Sequence, residues 1–164
     1  MAIEFSPEIE AFINAFSENW HSSGQGRMEG RVLAYLLVVS ADKVSSAELA
    51  DALGAGSGAI SMATRALVEQ GFIRRLRVAG DRSHYFAAAE DVWGGFLSAE
   101  RRWVHRMQSV LDNARKEMSL APTADRRVQV AAEYMNWLGS YNLTMLRDWH
   151  AHLASHVAPK VDPS

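Results

Sequence analysis

The chain has 164 residues, an apolar fraction of 48% and a formal net charge of −2. That length suits one compact domain, or a small domain plus an assembly element. Without cysteine, disulfides and thiolate metal sites are excluded, and no apolar run is long enough for a membrane span.

The start, Met1-Ala2-Ile3-Glu4-Phe5, lacks the basic-then-apolar pattern of an export signal. A cytoplasmic location without membrane contact is expected. Ser6-Pro7-Glu8 predicts a helix start. Ser can cap, Pro suits the first helical position and Glu favours the positive end of the dipole. Ile9, Phe12, Ile13, Phe16 and Trp20 then recur at helical spacing, until Gly24-Gln25-Gly26 breaks the pattern. A second helix is expected from about residue 27 to 40. Its apolar run over 32–39 marks a central helix, covered on most sides.

Lys43-Val44 is expected as a short strand. Ser45, with Glu48 three residues on, makes a capping box and starts a helix whose inner face is Leu49, Ala50 and Leu53. Gly54-Ala55-Gly56 is a turn. Ser57 is expected to cap the next helix, with Ile60, Ala63, Leu67 and Val68 inward and Gly71 ending it in a left-handed conformation. Residues 72–78 read as a strand, Ala79-Gly80-Asp81-Arg82 as a hairpin tip and 83–88 as the return strand.

From residue 90 to 118 the pattern is helical, with Trp93, Phe96, Trp103, Val104 and Val110 on the apolar stripe. Leu120-Ala121-Pro122-Thr123 is a break, and Thr123 is expected to cap a last helix reaching about residue 156. Val130, Tyr134, Trp137 and Tyr141 lie on its apolar side.

These elements predict a mainly α fold with some β structure: a winged helix-turn-helix core with long N- and C-terminal dimerisation helices. The expected boundaries are 1–25 for the N-terminal helix, 26–89 for the DNA-binding domain and 90–164 for the C-terminal helical region. The terminal helices carry more apolar surface than the core can cover. A second copy of the chain is the economical cover, giving a two-fold homodimer.

The distribution of charge matters more than its sum. Residues 43–86 carry six Lys or Arg against four acids, while residues 1–42 carry two Arg against six acids. The positive excess therefore sits in the proposed reading unit, where phosphate contacts need it. With Ile60, Ala63 and Leu67 inward, the helix from Ser57 presents Ser57, Gly58, Ala59, Ser61, Met62 and Arg65 outward. Small residues let a helix sit deep in a major groove. Ser61 can bond a base edge, Met62 can touch a thymine methyl and Arg65 can reach guanine or phosphate. Arg77 and Arg82 on the ribbon complete the candidate DNA-binding set, Arg82 being suited to a narrow minor groove. Asp81 beside it either orients that guanidinium or weakens it. Double-stranded DNA with a two-fold symmetric operator is the expected partner. The alternative is a winged helix that binds protein only.

The chain resembles MarR-type winged-helix regulators, and within them the GbsR-like branch. The resemblance lies in Gly26-Arg27-Met28-Glu29-Gly30-Arg31-Val32, Ser46-Ala47-Glu48-Leu49-Ala50, Ser57-Gly58-Ala59-Ile60-Ser61-Met62 and Gly80-Asp81-Arg82-Ser83-His84-Tyr85-Phe86, which runs into Glu90-Asp91-Val92-Trp93. It implies a homodimeric transcription factor, usually a repressor, with a small effector between the dimerisation helices and the reading head. Some GbsR-like members sense choline-type compounds. The usual proline before the wing glycine is Ala79 here, which implies a more mobile tip.

Trp20, Trp93, Trp103, Tyr134 and Trp137 are the candidate effector-binding residues, since several ring faces can attract a quaternary ammonium. Aromatic residues at helical spacing also serve as core or interface. His152 and His156 have metal-ligand spacing but no completing acid or Cys, so no metal and no cofactor are expected. Gly54-Ala55-Gly56-Ser57-Gly58 lacks the Lys of a phosphate loop and follows a helix, so no catalysis is expected either.

Overall fold

The computed structural model describes residues 6–157. It contains six helices and three strands among them: α1 (Pro7–Ser22), α2 (Arg27–Val38), β1 (Val44–Ser45), α3 (Ser46–Leu53), α4 (Ser57–Glu69), β2 (Ile73–Leu76), β3 (Tyr85–Ala88), α5 (Val92–Glu117) and α6 (Pro122–His156). The chain divides into two units, Met1–Gly95 and Phe96–Ser164, with α5 running across the division.

Local chemistry explains the element starts in the first unit. The Ser6 hydroxyl accepts from the Ile9 N–H, and Pro7 occupies the first turn of α1. The capping box at α3 is formed: Ser45 accepts from the Glu48 N–H at 3.2 Å, and the Glu48 carboxylate accepts from the Ser45 N–H at 2.7 Å. The Ser45 N–H first, and then the Ser45 hydroxyl, hold the Glu48 carboxyl below the usual carboxylate range. Gly54 ends α3 at φ +58, and Gly71 follows α4 at φ +83, a backbone region that suits glycine.

The first unit packs around α2, where Val32, Leu33 and Ala34 are fully buried. Gly30 makes the contact with α1 possible. A Cβ there would lie 2.8 Å from Ser17 Cα and 2.9 Å from Trp20 Cβ. α4 rests on α2 and α3 through Ile60, Ala63 and Leu67, all buried. The sheet order is β1-β3-β2, antiparallel throughout, with Val44 opposite Phe86 and Leu76 opposite Tyr85. Both hairpin strands are shorter than the sequence suggested, because pairing stops where the ribbon leaves the core.

The second unit is an antiparallel helix pair. Asn142 donates to Glu100 at 3.4 Å, a Cβ on Gly139 would touch Val104 at 3.7 Å, and Arg115 pairs with Asp125 at 3.0 Å near the connection. Two expected caps are corrected here. Gly56, with extended φ and ψ, flanks α4, so Ser57 is already helical and caps nothing. Pro122 starts α6 with Ala121 flanking it, so Thr123 also lies inside the helix. The architecture is a mostly helical winged helix.

Candidate nucleic-acid interface

α4 has one buried side and one bare side. Ile60 and Leu67 point into the unit, while Ser57, Gly58, Ala59, Ser61, Met62 and Arg65 are all exposed. Met62 is 75% exposed and lies outside the core. Thr64 is buried, and its hydroxyl is spent on the Ile60 carbonyl at 2.8 Å. The outward set of α4 is therefore one small, polar surface ending in a cation.

The start of α4 differs from that of α3. Gly56 has no side chain to accept from the first-turn N–H groups, and no side-chain cap bond is formed. Those amides keep their donors for an incoming anion, in the field of the helix dipole.

The wing stands beside this surface. Arg77 and Arg82 are exposed, and among the described residues neither has an ion-pair partner. Asp81 does not pair with Arg82. Its carboxylate accepts from the Ser83 N–H at 2.8 Å and the Tyr85 hydroxyl at 2.7 Å. These bonds, the Ser83 backbone donor first, push its pKa down to about 2 and raise that of Tyr85. The carboxylate thus braces the tip and leaves the neighbouring guanidinium free. Lys43 lies 5.5 Å from the centroid of the Tyr85 ring, adding a cation–π contact at the wing base.

A cleft of about 380 Å³ lies between α4 and the wing, with Ser61, Arg65, Arg75 and His84 in its walls. A guanidinium nitrogen of Arg75 sits 2.7 and 2.8 Å from the two ring nitrogens of His84. Neither Arg75 nor His84 is among the sequence candidates for DNA contact. Their meeting follows from the β2–β3 register, which spacing along the chain does not reveal.

The aromatic candidates separate into two groups. Trp20 and Trp93 meet through Phe72, with ring centroids 4.9 Å (Trp20–Phe72) and 5.4 Å (Phe72–Trp93) apart, edge to face. The Trp20 indole N–H is buried without an acceptor among the described residues. Trp103, Tyr134 and Trp137 belong to the second unit. Tyr134, Trp137 and Tyr141 form a ladder on α6, with centroid distances of 5.9 and 5.6 Å.

Comparison with known proteins decides the family. A sequence profile described as MarR family matches residues 23–82. A solved structure described as a transcriptional regulator is 31% identical, covers 88% of this chain and 99% of its own, and superposes with a TM-score of 0.76. The chain belongs to the MarR family. The HTH-type transcriptional regulator MmpR5 of Mycobacterium tuberculosis is 40% identical over 108 residues, which is 66% of this chain. The chain spans 64% of the length of that curated relative. The MarR-family match covers α2 to the wing tip, the segment that holds all eight candidate DNA-binding residues. No helix among the described residues is long and apolar enough to cross a membrane.

The wing brace has a pH signature. Because the folded carboxyl is depressed, its contribution is present above the ordinary aspartate range and lost as pH falls through about 2. An NMR titration of the Asp81 side chain should show that low midpoint. In Tyr85→Phe, which removes one donor, the midpoint should rise. An ordinary aspartate midpoint in the unaltered protein would contradict the brace.

Proposed function

We propose that this chain is a homodimeric, sequence-specific DNA-binding transcriptional regulator, acting as a repressor whose grip a small effector changes. The observation that carries this reading is the exposed, small-residue face of α4 beside a wing with free Arg77 and Arg82. α4 lies in the major groove with its uncapped amides toward a phosphate. Ser61 bonds a base edge, Met62 contacts a thymine methyl, and Arg65 reaches guanine or phosphate. Arg82 enters the adjoining minor groove and Arg77 tracks the backbone. No step of this activity is catalytic.

The second copy covers the second unit. Val130, Tyr134, Trp137 and Tyr141 form one stripe on α6, each more than half exposed. Trp103, 46% exposed, and Val110, 62% exposed, form a matching stripe on α5. A stripe of that size on a soluble protein supports an apolar interface. The twofold axis places two reading heads about 34 Å apart, one helical turn of DNA. The repressor role and the GbsR-like branch rest on the sequence resemblance.

Effector binding is assigned to the Trp20–Trp93 cluster. The orphan indole donor of Trp20 supports a ligand with an accepting oxygen, and the ring faces support a cation. Choline has both groups. Titrating it should quench tryptophan fluorescence saturably, and a flat titration would remove the choline assignment.

DNA reading is tested by replacing Arg65 and Arg82 with Ala together. Operator affinity should fall by a few kcal/mol in total, and binding by the unaltered protein should weaken steeply with added salt. Equal binding by the double variant would show that these residues do not form the reading face.

A further inference from the structure

We propose that the groove between α5 and α6 is a binding site for a small organic anion bearing carboxylate or phosphate groups. It starts from the sequence Arg101-Arg102-Trp103-Val104-His105-Arg106, which puts three Arg and one His in under two turns of α5. On α6, Asn136, Gly139, Ser140 and Leu143 recur at helical spacing along one face. The two faces border an open groove of about 390 Å³, within the range of small-molecule sites.

Gly139 opens that space. A Cβ there would meet only Val104 Cγ1 at 3.7 Å, so Val104 and Gly139 form a floor with room above it. Arg101 and Arg102 supply the positive wall, and the His105 ring with the amides of Gln108 and Asn136 adds further polar groups.

Among the described residues no ion pair engages the charges on this wall. Among the described residues, neither Arg101 nor Arg102 nor Arg106 has a carboxylate within ion-pair distance. Glu100 is engaged with Asn142 at 3.4 Å. Farther along the same helix pair, Arg115 does find Asp125. Unpaired guanidinium groups lining a concave surface concentrate positive potential there. Their forked donors suit carboxylate or phosphate oxygens.

The groove is not the apolar face assigned to the second copy. Trp103 and Val110 are seven residues apart and lie on the opposite side of α5 from Arg101, His105 and Gln108. On α6 the stripe from Val130 to Tyr141 is likewise turned away from Gly139 and Leu143. The site needs no DNA, so it stands apart from the reading proposed above.

The test is calorimetric titration of the full chain with citrate and, separately, with pyrophosphate. Saturable binding of at least one is expected: citrate alone indicates a carboxylate ligand, pyrophosphate alone a phosphate ligand. Arg101→Gln combined with Arg102→Gln should weaken that binding about tenfold or more, with unchanged helicity and unchanged oligomer mass. Gly139→Leu, which fills the groove, should abolish it. Three results would overturn the site. Neither anion binds the unaltered chain saturably; or the double variant or Gly139→Leu binds as well as the unaltered chain; or the double variant loses subunit association, which would make the groove a protein contact.

Discussion

Burial of one side of α4 is the constraint on which the rest depends. Ile60 and Leu67 are fully covered, and the helix rests on α2 and α3. Burying two such side chains contributes roughly 3–6 kcal/mol before entropy is counted. Rotation of α4 about its axis would expose them, so the opposite face is held outward. That face has no apolar anchor of its own apart from Met62. It is free to be small and polar because the stability comes from the other side.

The same logic separates the two helix starts. α3 spends a serine and a glutamate on its own first turn and so gains stability. α4 has Gly56 in that place and leaves its donors unused by side chains. The difference trades a little local stability for an electropositive end beside the exposed face. At the wing, Asp81 works in the opposite sense. It braces the ribbon tip by accepting from the Ser83 N–H and the Tyr85 hydroxyl.

Most of the fold was legible because its signals are local. The Ser45–Glu48 box, Gly71 after α4 and the Ser6-Pro7 start each depend on residues three or four apart, and each formed as read. The inner face of α4 was legible too, since helical period alone sorts Ile60, Ala63 and Leu67 from Ser61, Met62 and Arg65. The errors came where two residues competed for one position. Gly56 and Ser57 can both flank a helix, and only the backbone angles chose glycine. Pro122 outranked Thr123 because its fixed φ suits the first helical position. What stayed hidden was set by long-range geometry. The Arg75–His84 contact needs the strand register, and the choice of Asp81 for Tyr85 over Arg82 needs the turn. The anion groove brings together residues such as Val104 and Gly139, far apart in sequence on two consecutive helices.

The central claim is that paired α4 helices enter successive major grooves. Selecting bound sequences from a random DNA pool, then footprinting the product with hydroxyl radicals, tests it most directly. The predicted product is a two-fold symmetric site with two protected patches centred about 34 Å apart. No enrichment, or a single asymmetric protected patch, would contradict it.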